Sequence, residues 1–244
     1  MATERKQERV AVRVARKLVS EIRQQGLRPG TQLSSEHRMV KQYGVSRATI
    51  REALRFLELQ GALRIKAGPG GGPVVSVPGA RHLASALSLH LQFTDASFSS
   101  VIDARRSIYP QLAFEAAGNA SREDIALLQE SIARMHACIR DSEVFREEAR
   151  RFMTLVATAS GNRVLAILVD ALHRMSEGAG ADWDEKQRRS ALRSYETFIQ
   201  KIESGETEEA RSVMEKSLVA AARYWERTAP DELKQPVAWI DSDH

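Results

Sequence analysis

The sequence predicts a mostly α chain in two parts, with one small β-hairpin closing the first part. Three observations carry that expectation. The stretch from Leu33 to Leu57 reads as helix, tight turn, helix, and a short alternating hairpin follows it. Beyond Pro78-Gly79 the chain shows helical stripes and no convincing strand. Charge divides at the same place. Residues 1–79 hold 15 Lys+Arg against 6 Asp+Glu, a net of +9, and residues 80–244 hold 21 against 26, a net of −5. A basic first third joined to a mildly acidic remainder implies a polyanion-binding module attached to something else.

The bulk numbers set bounds on this. At 244 residues the chain is long enough for one or two domains with a full core. A hydrophobic content of 43% and a charged content of 28% are those of an ordinary soluble protein. No apolar run approaches the ~18 residues of a membrane span. Met1-Ala2-Thr3-Glu4-Arg5-Lys6 is followed by no apolar stretch, so no signal peptide is expected. Cys138 is the sole cysteine, which excludes an intrachain disulfide and is compatible with a reducing cytoplasm, the expected location.

Taken in order, residues 1–8 are polar and are expected to fray. Val10, Val14, Ala15, Leu18, Val19 and Ile22 form a helix stripe to about Gln25, and Pro29-Gly30 marks a turn. Ser35 is placed to cap the next helix and Glu36 sits where the helix dipole favours negative charge. Gly44 suits the left-handed position after that helix, and Ser46 caps the one that follows. Behind Ser46, the residues Ile50, Ala53, Leu54 and Leu57 are spaced for one buried face, while Arg47, Thr49 and Arg51 crowd the first turns. A recognition helix enters the major groove N-terminus first, so base-reading and phosphate-holding side chains belong in those turns. Arg can grip guanine O6 and N7 with two hydrogen bonds, and Ser or Thr hydroxyls suit phosphate oxygens.

Gly61 closes that helix. Leu63-Arg64-Ile65-Lys66 alternates apolar and basic, Gly68-Pro69-Gly70-Gly71-Gly72 turns, and Pro73-Val74-Val75-Ser76-Val77 returns. A hairpin directly after a recognition helix reads as a wing, with Lys66 and the glycine tip, including Gly70, facing the DNA. The glycines are not a phosphate-binding P-loop, because no Gly-Lys-Ser/Thr follows and no helix opens there.

After the boundary, helices are expected at roughly 80–93, 98–118, 121–140, 142–160, 162–178, 184–204 and 206–228, with Ser121 and Asp124, Asn162 and Gly205 marking breaks. Short loops imply antiparallel neighbours in a bundle. The expected organisation is a winged helix-turn-helix of three helices plus a β-hairpin wing at 1–78, an all-α antiparallel bundle at 79–229 and a polar tail at 230–244.

The run Leu27-Arg28-Pro29-Gly30, Leu33-Ser34-Ser35-Glu36 and Gly44-Val45-Ser46-Arg47-Ala48-Thr49-Ile50-Arg51-Glu52-Ala53-Leu54 resembles the winged-helix domain of the GntR family of bacterial transcription regulators. The helical remainder, with Arg105, the stretch Phe152 to Asn162 ending Ala-Ser-Gly-Asn, and Ile199 to Gly205, is similar to the FCD effector-binding domain of the FadR subfamily. The resemblance implies a homodimer that binds a palindromic double-stranded operator, as a repressor in the commoner mode, and releases it on binding a small-molecule effector. Arg47 is then expected to read a guanine. Ser35, Ser46, Thr49 and Arg51 are expected to touch phosphates or bases, with His37, Arg38, Arg55 and Lys66 beside them. Two positions depart from the family pattern: His37 stands where Arg is usual, and Ser34 stands where Pro is usual. His makes a shorter, weaker contact than Arg, which implies an altered operator.

The larger departure concerns metal. Many FCD domains bind a divalent cation through an Asp and three His. The resemblance places Ala149, Met153, Tyr195 and Ser217 at those positions, and none of Ala, Met or Tyr suits zinc, nickel or manganese. No metal or cofactor is therefore expected. The implied cavity is dry and largely apolar, with Arg105 holding a carboxylate by a forked pair, and its effector is an organic acid or acyl-type metabolite. A collapsed, ligand-free helical domain in a DNA-binding dimer is the alternative. His82, His90, His136, His173 and Cys138 show no ligand spacing and are expected to be ordinary helix residues. Glu147 with Glu148, and Glu208 with Glu209, are expected to be solvated faces, and no nucleophile motif points to an enzyme.

Overall fold

A computed structural model describes residues 2–176 and 183–241. The chain divides into two compact units, Met1–His82 and Leu83–His244.

The first unit contains α1 (Ala2–Gln24), α2 (Glu36–Tyr43), α3 (Arg47–Leu59), β1 (Leu63–Lys66) and β2 (Gly72–Val75). Helix α1 starts at Ala2 rather than near Val10. The polar residues ahead of Val10 include no Gly or Pro, so nothing in the backbone stops the helix propagating towards the terminus. Ala11, Ala15 and Leu18 of α1 pack on Ile50, Ala53, Leu54 and Leu57 of α3, and Met39 of α2 and Leu63 of β1 complete this core. The spacing that predicted a buried α3 face is the spacing of that core. Gly44 takes φ +63 after α2 and turns the chain into α3. Gly61 takes φ +72, a conformation that favours glycine, and a Cβ there would also displace the His82 ring, which lies within 2.3 Å of its place.

Strands β1 and β2 are antiparallel, with Leu63 opposite Val75 and Lys66 opposite Gly72. A third segment joins them. Leu33 N–H donates to Pro73 O at 2.9 Å and Val75 N–H donates to Thr31 O at 2.9 Å, with a bridge at Gln32 and Val74. The glycine tip is tied down: Gln32 Nε2 donates to Gly70 O at 2.7 Å and to Gly71 O at 3.1 Å. Sequence patterning shows neither of these features, because one extended residue triplet carries no periodicity.

The second unit is helical. It takes in most of α4 (Ala80–Gln92), then α5 (Phe98–Asn119), α6 (Arg122–Ala137), α7 (Ser142–Ala159), α8 (Arg163–Arg174), α9 (Glu185–Glu203), α10 (Thr207–Thr228) and α11 (Pro230–Lys234). The expected helices are present. The third ends at Ala137 rather than 140, and the fifth ends at Arg174, with residues 177 and 178 outside the described residues. Ser121 and Asp124 form a reciprocal capping box, Asn162 Oδ1 accepts from Leu165 N, and Gly205 sits at φ +68. Helix α5 runs through Pro110 without ending there. Helix α5 packs along α10 and against α7, and α7 also meets α6 and α8. Tyr109, Leu112, Leu128, Phe145, Phe152, Val156 and Phe198 are fully buried among these helices.

Of the segment expected to be a polar tail, residues 230–241 are an integral part of this unit; residues 242–244 lie outside the described residues. Pro230 opens α11, where its missing N–H costs nothing. Phe98 N–H then donates to Gln235 O at 2.9 Å and Val237 N–H donates to Ala96 O at 3.0 Å. Val237 is buried, Trp239 Nε1 donates to Ser85 Oγ at 3.2 Å, and Ile240 N–H donates to Ser88 Oγ at 3.1 Å. One buried valine and two backbone bonds anchor a stretch whose average composition is polar. No helix among the described residues is long and apolar enough to cross a membrane.

Candidate functional site

Each unit presents one candidate site. In the first, the N-terminus of α3 is set by Ser46, whose Oγ accepts from Thr49 N at 3.2 Å and shares a 2.8 Å hydrogen bond with Thr49 Oγ1. Thr49 is therefore 5% exposed and holds the cap from inside, so it does not share the outward face expected of it. The outward face is carried by Ser46, Arg47, Arg51 and Arg55, all exposed and spaced one turn apart from Arg47 onwards. Ser35 occupies the cap position of α2, but its hydroxyl makes no capping bond and stays exposed beside His37 and Arg38. Lys66 and Gly70 are exposed on the wing. Tyr43 Oη donates to Glu21 at 2.6 Å and Gln42 donates to the same carboxylate at 3.0 Å, which locks α2 to α1. Burial, then this bond, pushes the Tyr43 phenol well above its usual range. The result is a rigid helix whose first turns offer guanidinium groups and a hydroxyl to solvent.

The second unit has a half-open cavity of about 510 Å³, a size that suits a small ligand. Of the residues expected there, Arg105, Ala149 and Tyr195 line it. Met153 and Ser217 do not: Met153 is buried in the core cluster, and Ser217 is half-buried elsewhere on α10. The cavity wall is largely apolar, as expected, but it is not free of charge. Arg146, Arg150, Glu143, Glu147 and His173 share the wall with Trp183 and Trp225. His173 is thus no ordinary helix residue. A lone His with no partner at metal-ligand spacing leaves no signal in a sequence; only the packing of α8 beside α5 and α7 shows it.

The polar end of this cavity is not internally satisfied. Arg105 donates from Nη1 to Ser176 Oγ at 3.2 Å and lies 5.1 Å over the Tyr109 ring, but its Nε is sealed from solvent with no hydrogen-bond partner among the described residues. His173 Nδ1 is sealed and unpartnered in the same way. Burial, then the guanidinium groups of Arg105, Arg150 and Arg174, hold the His173 imidazole well below its usual pKa, so it is neutral. Arg150 pairs with Glu147, whose carboxyl it holds below the usual range, and lies 3.8 Å from Asp170. Arg174 reaches the same Asp170 at 3.5 Å. Burial pushes the Tyr195 phenol up to about 12, so it stays protonated and able to donate. Glu148 is not a solvated residue: it is buried and accepts from Ser131 Oγ at 2.6 Å, with Arg134 Nε at 3.1 Å. Among the described residues no three His, Cys, Asp or Glu side chains come together as metal ligands would.

Comparison with known proteins places both halves. The model for bacterial regulatory proteins of the gntR family matches residues 10–72, and the model for the FCD domain matches residues 100–220. The chain belongs to the GntR family and carries an FCD domain. The Exu regulon transcriptional regulator of Escherichia coli K12 is 30% identical over 145 residues, 59% of this chain and 54% of the relative. The Uxu operon regulator of Haemophilus influenzae is 25% identical over 214 residues, 84% of this chain and 78% of the relative. The chain spans about half the length of the first of these. The solved structure of Streptococcus agalactiae GntR superposes with a TM-score of 0.70 at 19% identity, covering 88% of this chain and 99% of that one, which shows the shared fold. These relatives are named as regulators, not enzymes. The GntR match contains the arginine-bearing α3, and the FCD match contains Arg105, Ala149, Arg150, His173 and Tyr195 of the cavity wall.

Proposed function

We propose that this protein is an effector-responsive transcription regulator of the FadR subfamily, acting in the cytoplasm as a homodimer on a palindromic operator. Residues 1–78 bind DNA and residues 79–229 bind the effector and dimerise. The protein acts as a repressor that an organic acid releases. The observation that carries the reading is the exposed ladder of Arg47, Arg51 and Arg55 on a helix capped by Ser46, a shape and charge matched to the major groove. Arg47 reads a guanine; Ser35, Ser46, His37, Arg38 and Lys66 hold phosphates or neighbouring bases.

The effector reading rests on the cavity. Its volume argues against a collapsed domain, and Arg105 in its wall donates from Nη1 to Ser176 Oγ, which leaves further N–H groups of the guanidinium for an acceptor. A carboxylate satisfies them with a charge-assisted bond. Tyr195 donates from the side, and Trp183 and Trp225 offer flat apolar walls to the body of the acid. Ala149, Met153 and Tyr195 are poor ligands for a dication, so the acid is held by guanidinium rather than metal. The flat faces of Trp183 and Trp225 favour a compact or aromatic acid. The test is a gel shift with a duplex selected from random DNA, repeated with a panel of organic acids. Acid-dependent release supports the reading, whereas sequence-independent binding that no acid alters sinks it. Stoichiometric zinc, nickel or manganese in the purified protein would refute the metal-free part.

A further inference from the structure

The recognition surface carries one acidic group placed between its arginines. Glu36 is the first residue of α2, and the turn at Gly44 returns the chain so that α3 begins beside it. Its Oε2 accepts from Arg47 Nε at 3.3 Å, and its Oε1 lies 4.0 Å from Arg51 Nε. Arg47 and Arg51 are one turn apart on the same face, so a single carboxylate gives one oxygen to each. Their side chains are 76% and 69% exposed, so the pair is at the surface and adds little to folding stability. Its consequence lies elsewhere.

We propose that Glu36 is a specificity-determining residue: it holds Arg47 and Arg51 poised for bases and opposes their use as indiscriminate phosphate contacts. The proposal rests on the DNA-binding reading above. Two physical effects follow from the geometry. First, Glu36 accepts a hydrogen bond from Arg47 Nε and sits 4.0 Å from Arg51 Nε, so it faces the Nε side of both and leaves the outer edge of two terminal nitrogens for guanine O6 and N7. A long side chain held this way has fewer rotamers to give up when it meets a base. Second, a carboxylate among the arginines halves their net charge and repels any phosphate that approaches. A wrong duplex, which offers only phosphates, is penalised, and a duplex that places guanine edges there is not. Specificity is a difference of affinities, and repulsion against the wrong partner creates it as well as attraction to the right one. The dipole of α2 also favours Glu36, but that contribution acts on stability and not on sequence preference.

The test uses the full chain. Duplexes are first selected from a randomised library with the wild-type protein. The dissociation constants of the selected duplex and of a scrambled one are then measured across a series of potassium chloride concentrations, for wild type and for Glu36→Gln. The substitution keeps the shape and removes the charge. The expected result is tighter binding of the scrambled duplex and a fall of about tenfold in the selected-to-scrambled ratio, the size of one lost bidentate discrimination. The log–log salt slope on scrambled DNA should steepen by ~0.9 for each phosphate newly engaged. Glu36→Asp, one methylene shorter, should keep part of the ratio. An unchanged ratio and slope in Glu36→Gln, with a wild type that does select a sequence, overturns the role of Glu36 and leaves the DNA-binding reading standing. A wild type that selects no sequence overturns both.

Discussion

The two candidate sites are both built from arginine, and they use it in opposite ways. On α3 the guanidinium groups of Arg47 and Arg51 stand in solvent, close in sequence, with Glu36 as their shared counterion. In the cavity, Arg105 comes from α5 and Arg146 and Arg150 from α7, and the packing around them leaves Arg105 Nε and His173 Nδ1 buried without partners among the described residues. Exposed charge is screened and cheap, so it suits a long polyanion met in many registers. Buried charge is costly unless it is paired, so it suits one small anion that completes the pairing. The same residue type thus serves reach in one unit and discrimination by desolvation in the other.

The sharpest way to break this contrast is Arg47→Ala. A bidentate guanine contact contributes ~1–3 kcal/mol of discrimination, and a dimer uses two copies. Operator preference in a gel shift should fall by a factor of a hundred or more by this estimate, while the melting temperature stays put because the side chain is exposed. Unchanged preference would remove Arg47 from the reading surface. Next in size is Arg105→Ala. Loss of a charge-assisted hydrogen bond costs ~1.5–3 kcal/mol, so acidic ligands should lose their stabilising thermal shift while operator binding in their absence is kept. A shift that survives would move the anion elsewhere in the cavity.

His173 sharpens the buried side of the comparison through pH. Its folded pKa lies well below the ordinary 6.5, so below that value the unfolded chain takes up a proton that the folded chain refuses. The stability this contributes is present above pH 6.5 and is lost as pH falls towards the folded pKa. The loss should approach ~1.4 kcal/mol per pH unit in that window. Chemical denaturation of His173→Gln should lack this part of the slope; an identical slope would show that the imbalance is relieved some other way. The smallest effect belongs to the wing. Lys66→Ala should flatten the salt slope of DNA binding by ~0.9 per protomer, ~1.8 for the dimer, and leave sequence preference nearly intact. A loss of preference instead would show Lys66 reading bases.

Legibility differs between the two sites for the reason that separates them physically. Ser46, Arg47, Arg51 and Arg55 lie within one helix, where local spacing alone dictates which side chains share a face. Thr49 differs from its neighbours: an inward-turned hydroxyl bonded to Ser46 looks, in sequence, like an outward one. The cavity draws on α5, α7, α8, α9 and α10, and no periodicity links those segments. Arg105, Ala149 and Tyr195 were reachable through family resemblance, but Met153 fell into the core, and the charges of Arg150 and His173 went unseen. Val237 shows the same limit at the tail: one apolar residue in a polar stretch is decisive only once Ala96 and Phe98 are known to lie beside it.

What the sequence determines by itself is what short-range chemistry settles: the helix stripes, the caps at Ser46, Ser121 and Asn162, the turns at Gly44 and Gly205, and the basic face of α3. These depend on neighbours within a few positions, and backbone geometry converts such spacing into structure directly. The tertiary structure alone decided that Thr31 to Leu33 joins the wing, that Gln32 pins its glycines, that Glu36 sits between two arginines, and that His173 closes the polar end of a cavity. Each of these is a meeting of separate segments, from consecutive helices for Glu36 to elements about 40 or more residues apart for Gln32 and His173. The energies involved come from desolvation and pairing at the point of contact, and they leave no trace in either segment read separately.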